Sequence, residues 1–275
     1  MSSFDPSIFK ADGLLAANRA LDLGGIDAVG FDLDHTLALY DDDAVNALAM
    51  AEAQDLLVAE RGYRSGEVVV APHVHDVAVA RALAIDLATA HVVKLDAGRR
   101  VHVARRGGTW VADAAIVRAH PHPAPDDRER VHPLSSRFDV PTMWLFDAVT
   151  RGCEPHRTLD PAAVCRDVRE MLDWSHTRGD LKTHLRRELA RFVSPVEGVI
   201  ARLHAWRDAG KRLFVVTNSD TSFAIAVLDL VIGSSWRSMF SVVATSSAKP
   251  RFFDGARKGE KPPGADGVVI EGASA

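Results

Sequence analysis

The chain has few cysteines and no excess of positive charge. Cys153 and Cys165 are the two cysteines among 275 residues. Two cysteines give no disulfide framework and are typical of a protein in a reducing compartment. The formal net charge of -4 offers no basic surface to a polyanion, which disfavours a nucleic-acid partner. We therefore expect a cytoplasmic protein whose partners do not include nucleic acid.

Long apolar segments are also lacking. Residues 1–13 contain Asp5, Lys10 and Asp12 and have no apolar core of the kind that a secretory signal needs. The most apolar later run, residues 223–232, contains an aspartate and is too short to span a bilayer. The hydrophobic content of 47% and charged content of 25% are ordinary for a globular protein. We expect no membrane partner and a chain long enough for a core with an insertion.

Two carboxylates follow a short apolar run near the N-terminus. Residues 28–31 are too few for a helix and rich in strand-forming residues, which predicts a buried strand. Asp32 and Asp34 follow, and strand alternation would point both to the same side. Like charges this close are costly to bury without a cation, and Mg²⁺ is the natural partner of such oxygens. The pattern indicates either a magnesium site or an acidic turn that caps a helix.

Polar residues also follow two later strands. Residues 213–216 are a continuous apolar run, typical of a strand buried in a parallel sheet, and they lead into Thr217 and Asn218. A helix is predicted directly afterwards, so Thr217 is either an anion ligand at its N-terminus or a simple N-cap. Residues 242–245 predict another strand, and Lys249 follows it. Open α/β sheets bind ligands at the carboxyl ends of their strands, which favours one shared site.

The sequence around these positions resembles that of the haloacid dehalogenase superfamily of phosphohydrolases. Residues 30–40, Gly-Phe-Asp-Leu-Asp-His-Thr-Leu-Ala-Leu-Tyr, are similar to motif I of its cytosolic purine 5′-nucleotidase branch, the IMP/GMP-type enzymes. Residues 248–253, Ala-Lys-Pro-Arg-Phe-Phe, are similar to motif III of that branch. The motifs occur in the family's order across residues 26–253. The resemblance implies an α/β fold with a doubly wound, Rossmann-like core of residues 1–40 and 196–275, and a large inserted cap of residues 41–195.

The resemblance also implies a chemistry. A small phosphomonoester, with a nucleoside monophosphate as the expected substrate, would be hydrolysed through an aspartyl-phosphate. Asp32 would attack phosphorus, and Asp34 would protonate the leaving group and then activate water. Mg²⁺ would be held by Asp32 and by the backbone carbonyl of Asp34. Thr217 and Lys249 would bind the phosphate, and Asn218 would position the loop of residues 217–220, which corresponds to the family's motif II.

One further site residue comes from a helix. Residues 167–176 resemble a family stretch that forms part of the nucleotide pocket, which implies a substrate contact for Asp167. The alternative is a solvated acid on a helix surface. Outside the motifs we predict helices over residues 14–21, 42–61, 160–179 and 197–210, a strand over 68–70, a hairpin of 90–95 with 101–103, and a loop over 120–133.

The end of the chain departs from the family. A fourth motif, a Gly-Asp pair with further acids, is expected on a strand beyond the lysine. Here residues 254–264 have a loop composition. The remaining acids, Asp254, Asp266 and Glu271, do not occur in the family's sequence motif. The missing strand would leave that of residues 28–31 as an unpaired edge that invites association into a homo-oligomer. We expect a C-terminally shortened chain that binds Mg²⁺ weakly and turns over slowly or not at all.

Two other hypotheses follow from the sequence. A catalytically silent ligand-binding or oligomerising protein on the same fold is compatible with the absence of the fourth motif. Metal binding through His73 with His75, or through His120 with His122, is the other. No cysteine or carboxylate with ligand spacing accompanies these histidines, so we expect them to be exposed instead.

Overall fold

Parallel strands and an antiparallel sheet occur in different parts of the chain. The computed structural model describes residues 24–69, 82–106, 108–111, 130–134, 137–153, 158–253 and 269–271. The chain divides into two units: the first runs up to Asp42 and resumes at Thr183, and the second is Asp43–Lys182. Their assignment as a core and an inserted cap stays a prediction.

The elements are named here in chain order. The strands are β1 (Ala28–Phe31), β2 (Ala38–Tyr40), β3 (Leu83–Asp86), β4 (His91–Leu95), β5 (Val101–Arg106), β6 (Thr109–Val111), β7 (Val131–Leu134), β8 (Val193–Pro195), β9 (Arg212–Val216), β10 (Val242–Ala244) and β11 (Val269–Glu271). The helices are α1 (Asp42–Arg61), α2 (Val140–Cys153), α3 (Pro161–Thr177), α4 (Leu181–Arg187), α5 (Leu189–Phe192), α6 (Val199–Asp208), α7 (Thr221–Val231) and α8 (Trp236–Met239). Short 3₁₀ turns cover Ser65–Glu67 and Arg137–Asp139.

The first unit is built on a mostly parallel sheet in the order β1-β9-β10-β11. β9 lies between β1 and β10 and is parallel to both, whereas β11 pairs antiparallel with β10. This sheet and its helices confirm the α/β class. Within the described ranges β1 pairs with β9 alone. The sequence predicted a buried strand, but β1 is only partly buried.

Helix α7 supplies much of the apolar packing of the first unit. Asp220 is its N-cap and accepts a hydrogen bond from the Phe223 amide at 2.9 Å. Phe223, Val227 and Leu228 are buried, and the helix contacts the β2–β8 pair. The spacing of these residues gives α7 one apolar face, as expected for a helix that covers a sheet.

The second unit contains an antiparallel sheet in the order β6-β5-β4-β3-β7. The predicted hairpin is confirmed as β4 with β5. A small apolar core on this sheet consists of Ala84, Val93, Val101, Ala104 and Val131. Helices α2 and α3 pack together, and each carries one buried cysteine, Cys153 and Cys165 respectively. Burial raises the pKa of the Cys165 thiol to about 11.

Helix α3 agrees with its prediction. Asp160 is the N-cap, with its side chain accepting from the Ala162 amide at 3.0 Å, and a proline occupies the first turn. Its predicted stripe, Val164, Val168, Met171 and Leu172, is buried. The predicted helix over 197–210 is α6, but Ile200, predicted to face inward, is 38% exposed. Leu203 is the residue of α6 that is fully buried.

Two predictions of local structure were wrong. Val68 and Val69 do not form a strand but follow a 3₁₀ turn, and the Val68 carbonyl accepts a hydrogen bond from the Gln54 side chain at 2.8 Å. A side chain thus supplies the hydrogen bond to a backbone carbonyl that a neighbouring strand would otherwise supply. Residues 131–133, predicted as loop, belong to β7. Pro133 is tolerated there because β7 lies at the edge of the described sheet.

Several predictions lie outside the described residues: the helix over residues 14–21, the histidines His73, His75, His120 and His122, and the acids Asp254 and Asp266. In the ranges that the structure covers, no helix combines the length and apolar character needed to cross a bilayer.

Gly152 provides a test of packing in the second unit. A Cβ on Gly152 would lie 2.1 Å from the Glu67 carbonyl oxygen, a backbone atom that cannot easily move. Alanine normally stabilises a helix relative to glycine, but here we expect Gly152→Ala to lower the free energy of unfolding by about 2 kcal/mol because of overpacking. Urea denaturation measures the change.

Gly66 is the matched control for this substitution. It lies in the 3₁₀ turn beside Glu67, and a Cβ there would meet nothing within 4 Å. We expect Gly66→Ala to leave stability unchanged within about 0.5 kcal/mol. Equal stability of the Gly152→Ala variant and the unsubstituted chain would contradict the close approach of helix α2 to this turn.

Candidate active site

The chain turns sharply after β1. The amides of Thr36, Leu37 and Ala38 all point to the Leu33 carbonyl oxygen, at 3.3, 3.0 and 3.1 Å. His35 has a φ of 56°, in the left-handed region that such a turn requires. The strand has already ended at Phe31, so strand alternation is not what brings the two following acids together, contrary to the prediction.

Asp32 forms an ion pair with the predicted lysine. Its Oδ1 lies 2.6 Å from Nζ of Lys249 and also accepts the Leu33 amide at 2.8 Å. The ammonium donates a second hydrogen bond to the Val216 carbonyl at 2.8 Å. Asp32 keeps 46% of its side-chain surface exposed, whereas Lys249 keeps 17%. A fixed cation therefore lies beside an accessible carboxylate.

Asp34 accepts hydrogen bonds on both carboxylate oxygens. Tyr40 donates to Oδ1 at 2.5 Å. Ser219 donates to Oδ2 at 2.9 Å, and Thr217 makes a longer contact with the same oxygen at 3.4 Å. Burial, followed by the nearby negative charge of Asp34, raises the pKa of Tyr40 far above its ordinary value. Tyr40 is therefore a neutral donor throughout the physiological pH range.

Thr217 lies in a loop fixed by backbone contacts. Its amide donates to the Ala244 carbonyl at 2.9 Å, and its carbonyl accepts from the Ser247 amide at 3.0 Å. Its fully buried hydroxyl accepts from the Ser219 amide at 3.0 Å. The N-cap of α7 is Asp220, so the alternative that Thr217 is a simple N-cap is wrong.

Asn218 holds the backbone on which Lys249 lies. Its Oδ1 accepts from the Lys249 amide at 2.7 Å and from the Ser247 hydroxyl at 3.1 Å, and its Nδ2 contacts the Lys249 carbonyl at 3.4 Å. Ser246 and Ala248 have φ angles of 49° and 53°, which cost about 1 kcal/mol each for residues other than glycine. The side chain of Asn218 stabilises this strained segment.

The structure brings most of the predicted residues together. Five of them form one hydrogen-bonded group in the first unit: Asp32, Asp34, Thr217, Asn218 and Lys249. Asp167 belongs to the second unit, where it accepts from the Tyr63 hydroxyl at 2.9 Å and lies 4.0 Å from Arg61. Its substrate contact stays a prediction, as do the individual roles of the other five.

The sequence analysis missed two residues that contact Asp34. Tyr40 lies six positions further along the chain and ends the motif I stretch, but nothing in its type or spacing indicates a bond to this carboxylate. Ser219 belongs to the run of polar residues 217–220, and its position in that loop was the available signal.

The oxygen donors near β1 fit Mg²⁺. This ion commonly takes one or two carboxylates besides substrate phosphate and keeps several waters. Among the described residues Oδ2 of Asp32 has no hydrogen-bond partner, and the Asp34 carbonyl is two residues away. No group of three or more His, Cys, Asp or Glu side chains in the described ranges is arranged to hold a metal ion. Water and substrate would thus supply most ligands.

The chain has sequence similarity to known proteins. The 5′ nucleotidase family matches residues 15–260 of the chain. The rat (Rattus norvegicus) protein named 5′-nucleotidase domain-containing protein 2 is 26% identical over 256 residues, which cover 88% of this chain and 46% of that protein. The human protein of the same name is also 26% identical over 256 residues, covering 88% and 48%. The chain spans about half the length of these curated relatives.

Substitution of Asn218 tests how Lys249 is held. We expect Asn218→Ala to lower the free energy of unfolding by about 1 kcal/mol, because it removes the acceptor of the Lys249 amide and the Ser247 hydroxyl. Asn218→Asp keeps that acceptor but replaces the 3.4 Å donor by a charged oxygen that faces the Lys249 carbonyl. Urea denaturation measures both variants, and unchanged stability of Asn218→Ala would contradict the assignment.

Proposed function

Because this chain belongs to the 5′ nucleotidase family, we propose that it is a phosphomonoester hydrolase whose substrates are nucleoside 5′-monophosphates. The proposal includes a haloacid dehalogenase-like core, formed by the first unit, and a cap formed by the second. Family membership supports a nucleotidase-type activity. The substrate class and the covalent intermediate are parts of the proposal.

One observation carries the proposal: the Lys249 ammonium lies 2.6 Å from the Asp32 carboxylate in the group that also contains Thr217 and Asp34. A nucleophilic carboxylate needs a nearby cation that offsets the charge of the phosphoryl group it attacks. The exposed Asp32 is open to an incoming phosphate, whereas Lys249 is held by the Val216 carbonyl.

The reaction proceeds in two steps. In the first, a carboxylate oxygen of Asp32 forms a bond to phosphorus while the bond to the leaving oxygen breaks, and Asp34 gives that oxygen a proton. In the second, Asp34 takes a proton from water, the water oxygen bonds to phosphorus, and the bond to Asp32 breaks. Thr217 and Lys249 bind phosphate oxygens in both steps.

Mg²⁺ is part of the proposed site. Asp32 and the Asp34 carbonyl would hold it, and when bound it supplies positive charge next to the phosphate. Asn218 keeps Lys249 in place through its backbone amide. The proposed cytoplasmic location, a substrate contact from Asp167 and self-association belong to the same hypothesis and are to be tested separately.

A second candidate function is a ligand-binding protein without turnover. It is favoured by the contacts that the two acids already make within the chain. Asp32 forms an ion pair with Lys249, and Asp34 accepts hydrogen bonds on both oxygens. Such a protein would bind a nucleotide but not cleave it. Its distinguishing result is nucleotide affinity by calorimetry together with no release of inorganic phosphate.

Asp32→Asn tests the proposed nucleophile. We expect the unsubstituted chain to release phosphate from inosine and guanosine 5′-monophosphates, and the variant to lose at least about a thousandfold in kcat, because an amide does not form the covalent intermediate. A phosphate-release assay measures both.

A second variant for comparison is Asp167→Asn, which changes a carboxylate of the second unit that is proposed to bind substrate. If Asp167 contacts the nucleoside, its loss raises KM and leaves kcat close to the original value. Turnover by the Asp32→Asn variant at the original rate would overturn the proposed mechanism.

Removal of divalent cations tests the proposed Mg²⁺ site. We expect EDTA to lower kcat at least about tenfold and added Mg²⁺ to restore it, because the charge near the phosphate is lost with the ion. The same titration on Asp32→Asn should show no response. Full activity in EDTA would show that Lys249 alone offsets the phosphate charge.

A further inference from the structure

The two oxygens of Asp34 have different partners. Oδ1 has the Tyr40 hydroxyl at 2.5 Å, and Oδ2 has the hydroxyls of Ser219 and Thr217 at 2.9 and 3.4 Å. A carboxylate that accepts on both oxygens is fixed in orientation, although each oxygen has two lone pairs and keeps the capacity to carry a proton. The hydroxyl partners of Asp34 therefore set the direction in which it can exchange a proton.

The donors on the Oδ2 side belong to a loop suited to an anion. Ser219 and Thr217 lie between the end of β9 and the start of α7, where hydroxyl and backbone N–H groups are suited to bind phosphate oxygens. The long 3.4 Å contact of Thr217 is the weaker one and is the more readily exchanged. In the proposed complex Thr217 binds phosphate, so the Oδ2 side of Asp34 loses part of its hydrogen bonding.

The donor on the Oδ1 side is fixed. Tyr40 is half-buried at the end of β2, which pairs in register with β8 through Val193. Its ring contacts the His35 ring with 5.2 Å between centroids, and His35 in turn lies 3.3 Å from Asp42. These contacts hold the phenol in place, so Tyr40 is the fixed member among the hydroxyl partners of Asp34.

We infer that Tyr40 is a positioning residue that holds Oδ1 of Asp34 and thereby keeps Oδ2 turned toward the loop of Thr217 and Ser219, where the proton is exchanged. The inference rests on the proposed function. In the first step the proton moves from Oδ2 to the leaving oxygen as the bond from that oxygen to phosphorus breaks. In the second, Oδ2 takes a proton from the attacking water. Tyr40 keeps its own proton throughout.

The consequence is a dependence on the leaving group. A ribose 5′-oxygen leaves as a strong base and needs the proton, whereas p-nitrophenolate leaves without one. In Tyr40→Phe the carboxylate can rotate, and a misplaced acid costs about tenfold to a hundredfold. The loss of rate should occur with substrates whose leaving group needs a proton and should be absent with substrates whose leaving group does not.

The experiment compares kcat/KM for inosine 5′-monophosphate and for p-nitrophenyl phosphate, because kcat/KM reports on the first chemical step. We expect Tyr40→Phe to lower the first value about tenfold to a hundredfold and the second less than about threefold. A purely structural role predicts equal losses for both substrates. Equal losses, or no loss for either, would overturn the inference.

Two controls keep the result interpretable. Tyr63→Phe removes a comparable hydrogen bond in the second unit, from the Tyr63 hydroxyl to the Asp167 carboxylate at 2.9 Å. Urea denaturation of both variants shows whether Tyr40→Phe loses more stability than Tyr63→Phe. A loss of folding much larger than that of Tyr63→Phe would count against a positioning role. If the unsubstituted chain cleaves neither substrate, the proposed function fails, which is distinct from equal losses in the variant.

Discussion

A single ammonium group joins three strand ends in the first unit. Lys249 follows β10, its Nζ donates to the carbonyl of Val216 at the end of β9, and it pairs with Asp32 directly after β1. Parallel strands bring their carboxyl ends to one edge of the sheet, so one cation can reach all three. Removal of this charge would leave Asp32 without its ion pair and the Val216 carbonyl without this donor.

The loop that carries the lysine is held under strain. Ser246 and Ala248 adopt left-handed backbone conformations. The segment is fixed by the Asn218 side chain and by the hydrogen bond from the Ser247 amide to the Thr217 carbonyl. Strain of this kind persists where surrounding contacts over-determine the backbone. The geometry of Thr217 and Lys249, the groups proposed to bind phosphate, is therefore set by the loops between strands, whereas the strands determine where those loops begin.

The sequence was sufficient to predict the α/β class and the convergence of Asp32, Thr217 and Lys249, because strand ends and their polar residues are local patterns with one spatial outcome. It did not predict that Tyr40 and Ser219 meet Asp34, since those contacts depend on how β2 and the loop after β9 fold back. Strand alternation was the wrong cause for the proximity of the two acids, which lie on a turn around the Leu33 carbonyl. In the second unit Val68 and Pro133 were assigned wrongly, because tertiary partners decided both segments.

The sheet register has a consequence for synthesis on the ribosome. Ala28 pairs with Arg212, so β1 emerges long before its partner strand, while the second unit, an uninterrupted segment, is completed in between. At ordinary elongation rates that delay is on the order of ten seconds. Throughout this interval the nascent chain carries an apolar segment whose partner strand has not yet been synthesised.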